Sequence, residues 1–190
     1  MKYSKIFLLS LFFYSCQPTA ETSSIKDDRS VQQLSLIKHL TTSDSLYNSE
    51  YNEIKKSELF DTEKEKLNSF ILDSLKGSFH KWPVTIYKMN VNDWPSKYID
   101  VTFMIPLSKV LDAKNPQDYA LIIHAAVPFD QVSVKDSLAS VYPGDKVWIS
   151  GNFSKRDTDQ IDMSSSPPEY LFNNPEIQAD ITRVSSKADK

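Results

Sequence analysis

Three histidines are the side chains of this sequence best suited to metal binding or to proton transfer near neutral pH. His39, His80 and His124 stand far apart in the chain. They form neither the HxH nor the HExxH spacing that puts two ligands on one face of a strand or helix. The sequence therefore gives little support to a zinc site. We expect one histidine on a helix face and the other two in strands or loops.

Glycine is scarce, and its scarcity excludes several kinds of chemistry. The chain has three glycines among 190 residues: Gly77, Gly144 and Gly151. Phosphate-binding loops, dinucleotide fingerprints and GxSxG nucleophile turns all need closely spaced glycines. None of these motifs can be built from three scattered ones. We expect Gly77 to end a helix, Gly144 to form a turn and Gly151 to let a strand bend.

Acidic residues offer a weak resemblance to a metal site. Asp157, Asp159 and Asp162 are spaced like part of a calcium-binding loop. Such a loop has glycine at its sixth position and glutamate at its twelfth, where this chain has Asp162 and Pro168. The pattern therefore predicts a solvated hairpin tip. Carboxylate pairs could still meet elsewhere among the 25 acidic residues and form an acid–base site.

The amino terminus has the pattern of an export signal. Lys2 and Lys5 precede an apolar run over residues 6–14 that only Ser10 interrupts. A helix that crosses a bilayer needs about 20 apolar residues, so this shorter run predicts a secretory signal peptide. No other stretch of the sequence is a transmembrane candidate.

The segment that ends at Cys16 resembles the lipobox of bacterial lipoproteins, in which the cysteine becomes the lipidated first residue of the mature chain. The resemblance covers residues 1–16 and implies a signal peptide over 1–15. It also implies a diacylglycerol or palmitate-type anchor on Cys16, the only cysteine, and a place in the cell envelope. The residue after the cysteine is Gln17, and not the Asp that resembles an inner-membrane retention signal in enteric bacteria. The resemblance therefore favours the outer membrane, facing the periplasm or the cell surface. A conventional signal peptide with an incidental cysteine is the alternative.

The net charge disfavours nucleic acid as a partner. The chain has 22 basic and 25 acidic residues, a net charge of −3. Loss of Lys2 and Lys5 with the signal peptide leaves 20 basic and 25 acidic residues, or −5. Nucleic-acid binding draws its affinity from basic surfaces that release counterions. We therefore expect no nucleic-acid partner.

Residues 16–27 are polar and aperiodic, which is typical of a flexible tether, and residues 28–78 have helical patterning. Apolar residues recur there at spacings of three and four, which predicts two or three helices between about 28 and 76. We expect the last helix to begin at Asp61 or Thr62, because Glu65 would complete a capping box with Thr62. Gly77 would end it.

Residues 79–188 change to a period of two, the pattern of half-buried strands. Strands are predicted around 82–87, 99–107, 119–127, 147–153 and 177–181, with a short helix near 134–141 and a turn at 142–145. Three strands, a helix and two further strands is the order of an OB barrel. The predicted fold class is α+β: N-terminal helices followed by a five-stranded Greek-key OB-like β-barrel.

Four sequence features occur in an order that resembles an uncharacterised group of small bacterial proteins. The features are the stretch 52–59 on a helix, Trp82 in the first strand, and the stretches 144–153 and 174–177. In that group a helix of this kind precedes an OB-like barrel, and the resemblance covers about residues 48–184. Because no activity is settled for the group, the resemblance implies a fold and no mechanism.

Strand alternation puts Trp148 and Tyr87 on the outer face of the barrel. The same alternation puts Lys146, Ser150, Asn152, Met104 and His124 outside. One interpretation is that the helices cover Trp148 with the apolar stripe of Leu67, Phe70 and Ile71. The other is that Trp148 and Tyr87 form an aromatic binding platform, as OB barrels use for bases, sugars or peptide side chains.

The sequence thus predicts a lipid-anchored cell-envelope protein whose OB-like domain is a binding or adaptor module. Its expected contacts are the membrane, through Cys16, and an envelope protein, with Trp148 and Tyr87 as binding residues. No catalytic residue, metal or cofactor is assigned. An envelope enzyme with a carboxylate-based site is one alternative. A single-strand nucleic-acid binder is a second, which the negative charge and the export signal disfavour.

Overall fold

A computed structural model describes residues 27–93, 96–107, 119–165 and 170–186 of the chain. The predicted signal peptide, Cys16 and nearly all of the predicted tether lie outside the described residues. None of the helices within those ranges is long and apolar enough to cross a membrane.

Two helices precede the strands. Helix α1 is Val31–Ser49, and helix α2 is Glu53–Ser69, which continues into a π-helical turn, Phe70–Ser74. The Ser30 side chain caps α1 by accepting a hydrogen bond from the backbone N–H of Gln33, at 3.1 Å. The prediction of two or three helices is confirmed, with two.

The predicted helix start at Asp61 or Thr62 is wrong. Helix α2 already begins at Glu53, because the Asn52 side chain caps it by accepting from the N–H groups of Ile54 and Lys55. Thr62 lies inside the helix, where its hydroxyl donates to the carbonyl of Glu58 at 2.8 Å. The capping-box pattern was misleading because Thr can satisfy its hydroxyl within a continuous helix.

Gly77 closes the helical segment as the sequence predicts. Its φ is 68°, in the left-handed region, and its N–H donates to the carbonyl of Ile71 at 2.9 Å. Lys76 before it also has a positive φ, 55°. The chain reverses here and enters the first strand directly.

Eight strands and a third helix follow within the described ranges. In chain order they are β1 (Ser78–Asn92), β2 (Tyr98–Pro106), β3 (Ala120–Pro128), α3 (Val132–Leu138), β4 (Lys146–Phe153), β5 (Lys155–Asp157), β6 (Gln160–Ile161), β7 (Met163–Ser164) and β8 (Glu176–Ser185). The turn before β4 also agrees with the prediction: Asp145 N–H donates to the carbonyl of Tyr142 at 3.0 Å, and Gly144 has φ 95°.

Five of these strands close into a barrel. The antiparallel order is β3-β2-β1-β4-β8, and a short parallel pairing of β3 with β8 completes the circle. This is the mixed five-stranded closure of an OB-like fold, with α3 between the third and fourth barrel strands. The α+β fold class, N-terminal helices followed by an OB-like barrel, is confirmed. Strand β7 adds a short extension along β8.

The inward-facing side chains of the barrel form one core with the helices. Leu36 and Leu40 of α1 and Leu67 and Ile71 of the α2 segment are fully buried together with the barrel interior. An aromatic cluster lies at the start of the barrel, where the rings of Phe79, Trp82 and Phe153 have centroids 5.0 to 5.8 Å apart.

Strand β1 starts four residues before Trp82. Phe79 and Trp82 are both buried although they are three residues apart, because the pairing with β4 shifts between them and Lys81 adopts φ 51°. This bulge breaks the period-two pattern and hides the beginning of the strand from sequence inspection.

Gly151 is the glycine that the barrel needs for space. A Cβ there would collide with the backbone carbonyl oxygen of Asp180 on β8 and would lie 2.9 Å from Cζ of Phe79. The β4–β8 register also shifts at this point, because Thr182 is the extra residue between the pairs of Ser150 and Gly151. Glycine therefore permits the close approach of two barrel strands.

We expect Gly151→Ala to lower the free energy of unfolding by about 2 to 4 kcal/mol, since backbone cannot move away as a flexible side chain can. Urea denaturation followed by circular dichroism would measure this loss. Gly144→Ala is the matched control: no atom lies within 4 Å of the added Cβ, so only the strain of its φ applies. A loss at Gly151 no larger than at Gly144 would contradict the steric explanation.

Candidate functional site

Trp148 lies on the outer face of β4, as the sequence predicts. Its register neighbours are Pro83 on β1 and Ser185 on β8. The indole is half-buried. The Lys146 ammonium lies 5.7 Å from the ring centroid, close enough for a cation–π contact.

The cover over this part of β4 comes from the start of α1. Asp28 Oδ2 lies 2.6 Å from Lys146 Nζ, and the Gln33 side-chain amide donates to the carbonyl of Pro83 at 3.0 Å. Both contacts flank Trp148. The first is at Lys146, two residues before Trp148 on β4, and the second is at Pro83, which lies opposite Trp148 on β1. Trp148 is therefore framed by the beginning of the helical segment and keeps part of its ring in solvent.

Helix α2 contacts the β5–β6 hairpin and the core. The Asn68 side chain donates to the carbonyl of Asp159 at 2.7 Å and accepts from the N–H of Ile161 at 2.8 Å. Leu67 and Ile71 are buried in the common core. Leu67 and Ile71 of the predicted stripe thus lie in the core, and the two contacts that flank Trp148 come from the start of α1.

Tyr87 is also outside, with 44% of its surface exposed. It is the extra residue of a second bulge in β1, where the pairing with β2 shifts between Ile86 and Lys88. Pro83, the neighbour of Trp148, precedes Tyr87 by four residues, or roughly 13 Å along a strand. The fold does not bring the two aromatic rings side by side, so each remains a separate predicted binding residue.

A hydroxyl, an imidazole and a carboxylate line up on the outer face of three adjacent strands. Thr102 Oγ1 on β2 lies 3.3 Å from His124 Nδ1 on β3, and His124 Nε2 lies 3.4 Å from Glu176 Oε2 on β8. The sequence placed His124 outside but could not pair it, since its partners are 22 and 52 residues away (124 − 102 and 176 − 124). Thr102 is buried, so the row ties together the strands that close the barrel.

The other two histidines occupy unrelated places. His80 lies at the β1 bulge, with Nδ1 3.3 Å from Ser150 Oγ. The same hydroxyl accepts a hydrogen bond from the Lys81 N–H at 3.0 Å, which supports the strained residue. His39 lies on α1, where it stacks on Phe70 with centroids 5.1 Å apart. One histidine on a helix and two on strands agrees with the expectation.

A polar cluster joins the two helices beside His39. The Ser43 hydroxyl donates to Glu63 Oε2 at 2.7 Å, and Lys66 Nζ lies 2.7 Å from Glu63 Oε1. Burial would raise the pKa of the Glu63 carboxyl, but the hydrogen bonds from Lys66 and Ser43 outweigh burial and hold the pKa below its usual value. Burial lowers the pKa of the His39 imidazole, because the charged form loses its hydration.

The carboxylate-rich stretch near residue 160 forms the β5–β6 hairpin. Arg156 lies 3.0 Å from the carboxylate of Asp162, and the backbone of Asp159 contacts α2 through Asn68. Within the described ranges, no three His, Cys, Asp or Glu side chains are grouped so that they could hold a metal ion.

His39 should make stability fall on mild acidification. A histidine whose pKa is lowered on folding contributes stability that is present above its unfolded pKa and is lost as the pH falls towards the folded pKa. We expect the wild type to lose more free energy of unfolding than His39→Phe between about pH 7.5 and about pH 5.5 in urea denaturation. Phe keeps the stacking on Phe70. Equal losses in both proteins would show that His39 is not the titrating group.

Glu63 has a similar effect at lower pH. Its pKa is lowered on folding, so the carboxylate contributes stability above its unfolded pKa. This stability is lost as the pH falls towards the folded pKa. The pH ranges of the two groups differ, so the His39→Phe comparison separates them.

Comparison of the chain with protein-family models, with curated proteins and with solved structures gives no match to any of them.

Proposed function

We propose that this chain is a lipid-anchored protein of the cell envelope whose OB-like barrel binds a protein partner on the same membrane. The observation that carries the binding part of the proposal is the half-exposed Trp148 on the outer face of the barrel. The anchor part rests on the lipobox-like segment that ends at Cys16. Outer membrane is favoured over inner membrane by Gln17.

The tether fixes how far the Trp148 surface can lie from an anchored Cys16. Asp27 follows Cys16 by 11 residues (27 − 16), which span at most about 40 Å when fully extended. Asp28, the next residue, contacts Lys146 beside Trp148. A surface next to the end of so short a tether is reachable for a partner embedded in or attached to the same membrane.

The charges around Trp148 favour a protein partner over a polyanion. The cation in contact with the ring, Lys146, is already paired with Asp28 at 2.6 Å. The surface therefore presents an aromatic face with a compensated charge beside it, and the whole chain is acidic. Such a surface suits an apolar or aromatic side chain of a protein, for which indole contacts are typical anchors.

The carboxylate-enzyme alternative gains no support from the described residues. Burial raises the pKa of the Asp44 carboxyl, and its neighbour is the Asn48 amide, which donates to it at 2.9 Å. A paired-carboxylate site needs a second acid facing the first across room for a substrate. Asp44 instead lies on α1, and its hydrogen-bond partner is the Asn48 amide of the same helix.

The anchor is tested by Cys16→Ala in the native bacterial host. We expect the wild type to incorporate a labelled fatty acid and to fractionate with membranes, because two or more acyl chains hold a protein stably. The variant should incorporate no label and either leave the membrane fraction or remain as the unprocessed precursor. Label incorporation at the wild-type level in Cys16→Ala would disprove lipidation at this residue.

The binding surface is tested by Trp148→Ala, with crosslinking and affinity purification from solubilised membranes. Loss of a central aromatic contact typically costs about 2 kcal/mol, so we expect partner binding to weaken about 30-fold. Tyr142→Ala is the matched control, since Tyr142 is an aromatic residue with 72% of its surface exposed. Tyr87→Ala is measured separately, as a second predicted contact.

Each variant must first show the wild-type unfolding midpoint. A folded Trp148→Ala protein that binds its partner as tightly as the wild type and Tyr142→Ala would remove Trp148 from the proposal.

A further inference from the structure

The second half of β1 has one paired edge and one open edge. Up to Thr85 the strand pairs with β4, and Ile86 makes the last contacts on that side, with Gly144 and Asp145 at 2.7 and 3.0 Å. From Lys88 to Asn92 it pairs with β2 alone among the described residues. The backbone of residues 87–92 therefore forms a sheet edge beside the turn that leads into β4.

The bulge at Tyr87 determines which groups this edge offers. Before the bulge, Val84 and Ile86 face the core and their backbone groups point to the β4 side. Met89 and Val91 face inward after it, opposite Val101 and Ile99 of β2. Since inward-facing residues of one strand aim their N–H and C=O groups to the same side, Met89 and Val91 aim theirs at the open edge.

We propose that a second copy of this chain occupies the edge, through antiparallel pairing of residues 88–92 with the same residues of the partner. The register that joins the open backbone groups places Met89 opposite the partner subunit's Val91. It places Asn90 on the two-fold axis, opposite its own counterpart, and Lys88 opposite the partner subunit's Asn92. A continuous sheet would then run through both barrels.

The edge is self-complementary in this register, which is why it favours a second copy. Apolar side chains meet apolar ones on the inner face, where Val91 has 55% of its surface exposed although it continues the core side of the strand. Amides meet across the axis on the outer face. Lys88 is the only charged residue among residues 88–92. It faces the partner subunit's Asn92, so no like charges oppose each other.

The length of the edge sets the expected strength. Five residues per copy bury less surface than the roughly 1,600 Å² of a standard stable interface. We therefore expect a reversible dimer that forms at micromolar concentration or above, not an obligate one. Open edges that natural proteins leave uncovered usually carry several charges or a proline, and this edge has one lysine.

A charge-swap pair tests the register. In the full chain, Asn90→Lys places two ammonium groups face to face on the axis, and Asn90→Asp places two carboxylates there. Each variant alone should dimerise about five-fold more weakly than the wild type, and an equimolar mixture should recover at least wild-type affinity. Energy transfer between donor-labelled and acceptor-labelled chains measures this. Lack of recovery in the mixture would overturn the proposed register.

Cysteine crosslinking tests the same axis independently. Opposed residues of a non-hydrogen-bonded antiparallel pair have Cα atoms about 4.5 Å apart, within disulfide range. With Cys16 replaced by Ser, Asn90→Cys should form a disulfide-linked dimer on mild oxidation. Asn152→Cys, an exposed asparagine of β4, is the matched control. Equal crosslinking of the two variants would show that the edge is vacant or has another occupant, and would overturn the proposal.

Discussion

The barrel depends on strand β1, which changes partners halfway along its length. Its first half pairs with β4 and its second half pairs with β2. Where a neighbour departs at a buried position, a backbone carbonyl is left that needs another donor, because an unpaired buried carbonyl is costly. The Gln33 amide supplies that donor to Pro83 at 3.0 Å. On the opposite side of the barrel, the Gln131 amide does the same for Ile181 of β8 at 2.7 Å, where β3 departs.

This requirement links the helical segment to the outer surface of the barrel. Since Gln33 must reach Pro83, the start of α1 lies beside the strand neighbour of Trp148, and Asp28 then meets Lys146. The residues that join the predicted tether to the fold therefore border the proposed binding surface. The same change of partners leaves the second half of β1 with an edge to which no other described strand pairs. One topological feature thus produces both surfaces to which we assign an interaction.

Sequence reasoning succeeded where the signal is local and failed where it depends on a distant partner. The Gly77 helix end and the turn at Gly144 were predictable, because positive φ strongly favours glycine. The start of α2 was missed because the Thr62 pattern resembles a cap, and only the continuous helix around it shows otherwise. The bulges at Lys81 and Tyr87 have no sequence signature, although each reverses which residues face the core. The sequence could not show how far apart Tyr87 and Trp148 lie. Pro83 is the residue opposite Trp148, and Tyr87 follows it by four positions along β1.

The sequence by itself determined the order and type of the five barrel strands and of the helix between the third and fourth of them. It also determined the OB-like closure implied by that order and the outward position of Trp148, Tyr87 and His124. These follow from periodicity and turn chemistry, which act between residues close in the chain. Only the tertiary structure decided what lies next to each outward residue. The row of Thr102, His124 and Glu176, the frame of Asp28 and Gln33 around Trp148, and the open edge of β1 all join residues far apart in sequence. Strand pairing brings such residues together, and its register is set by the bulges and by the packing of the whole core.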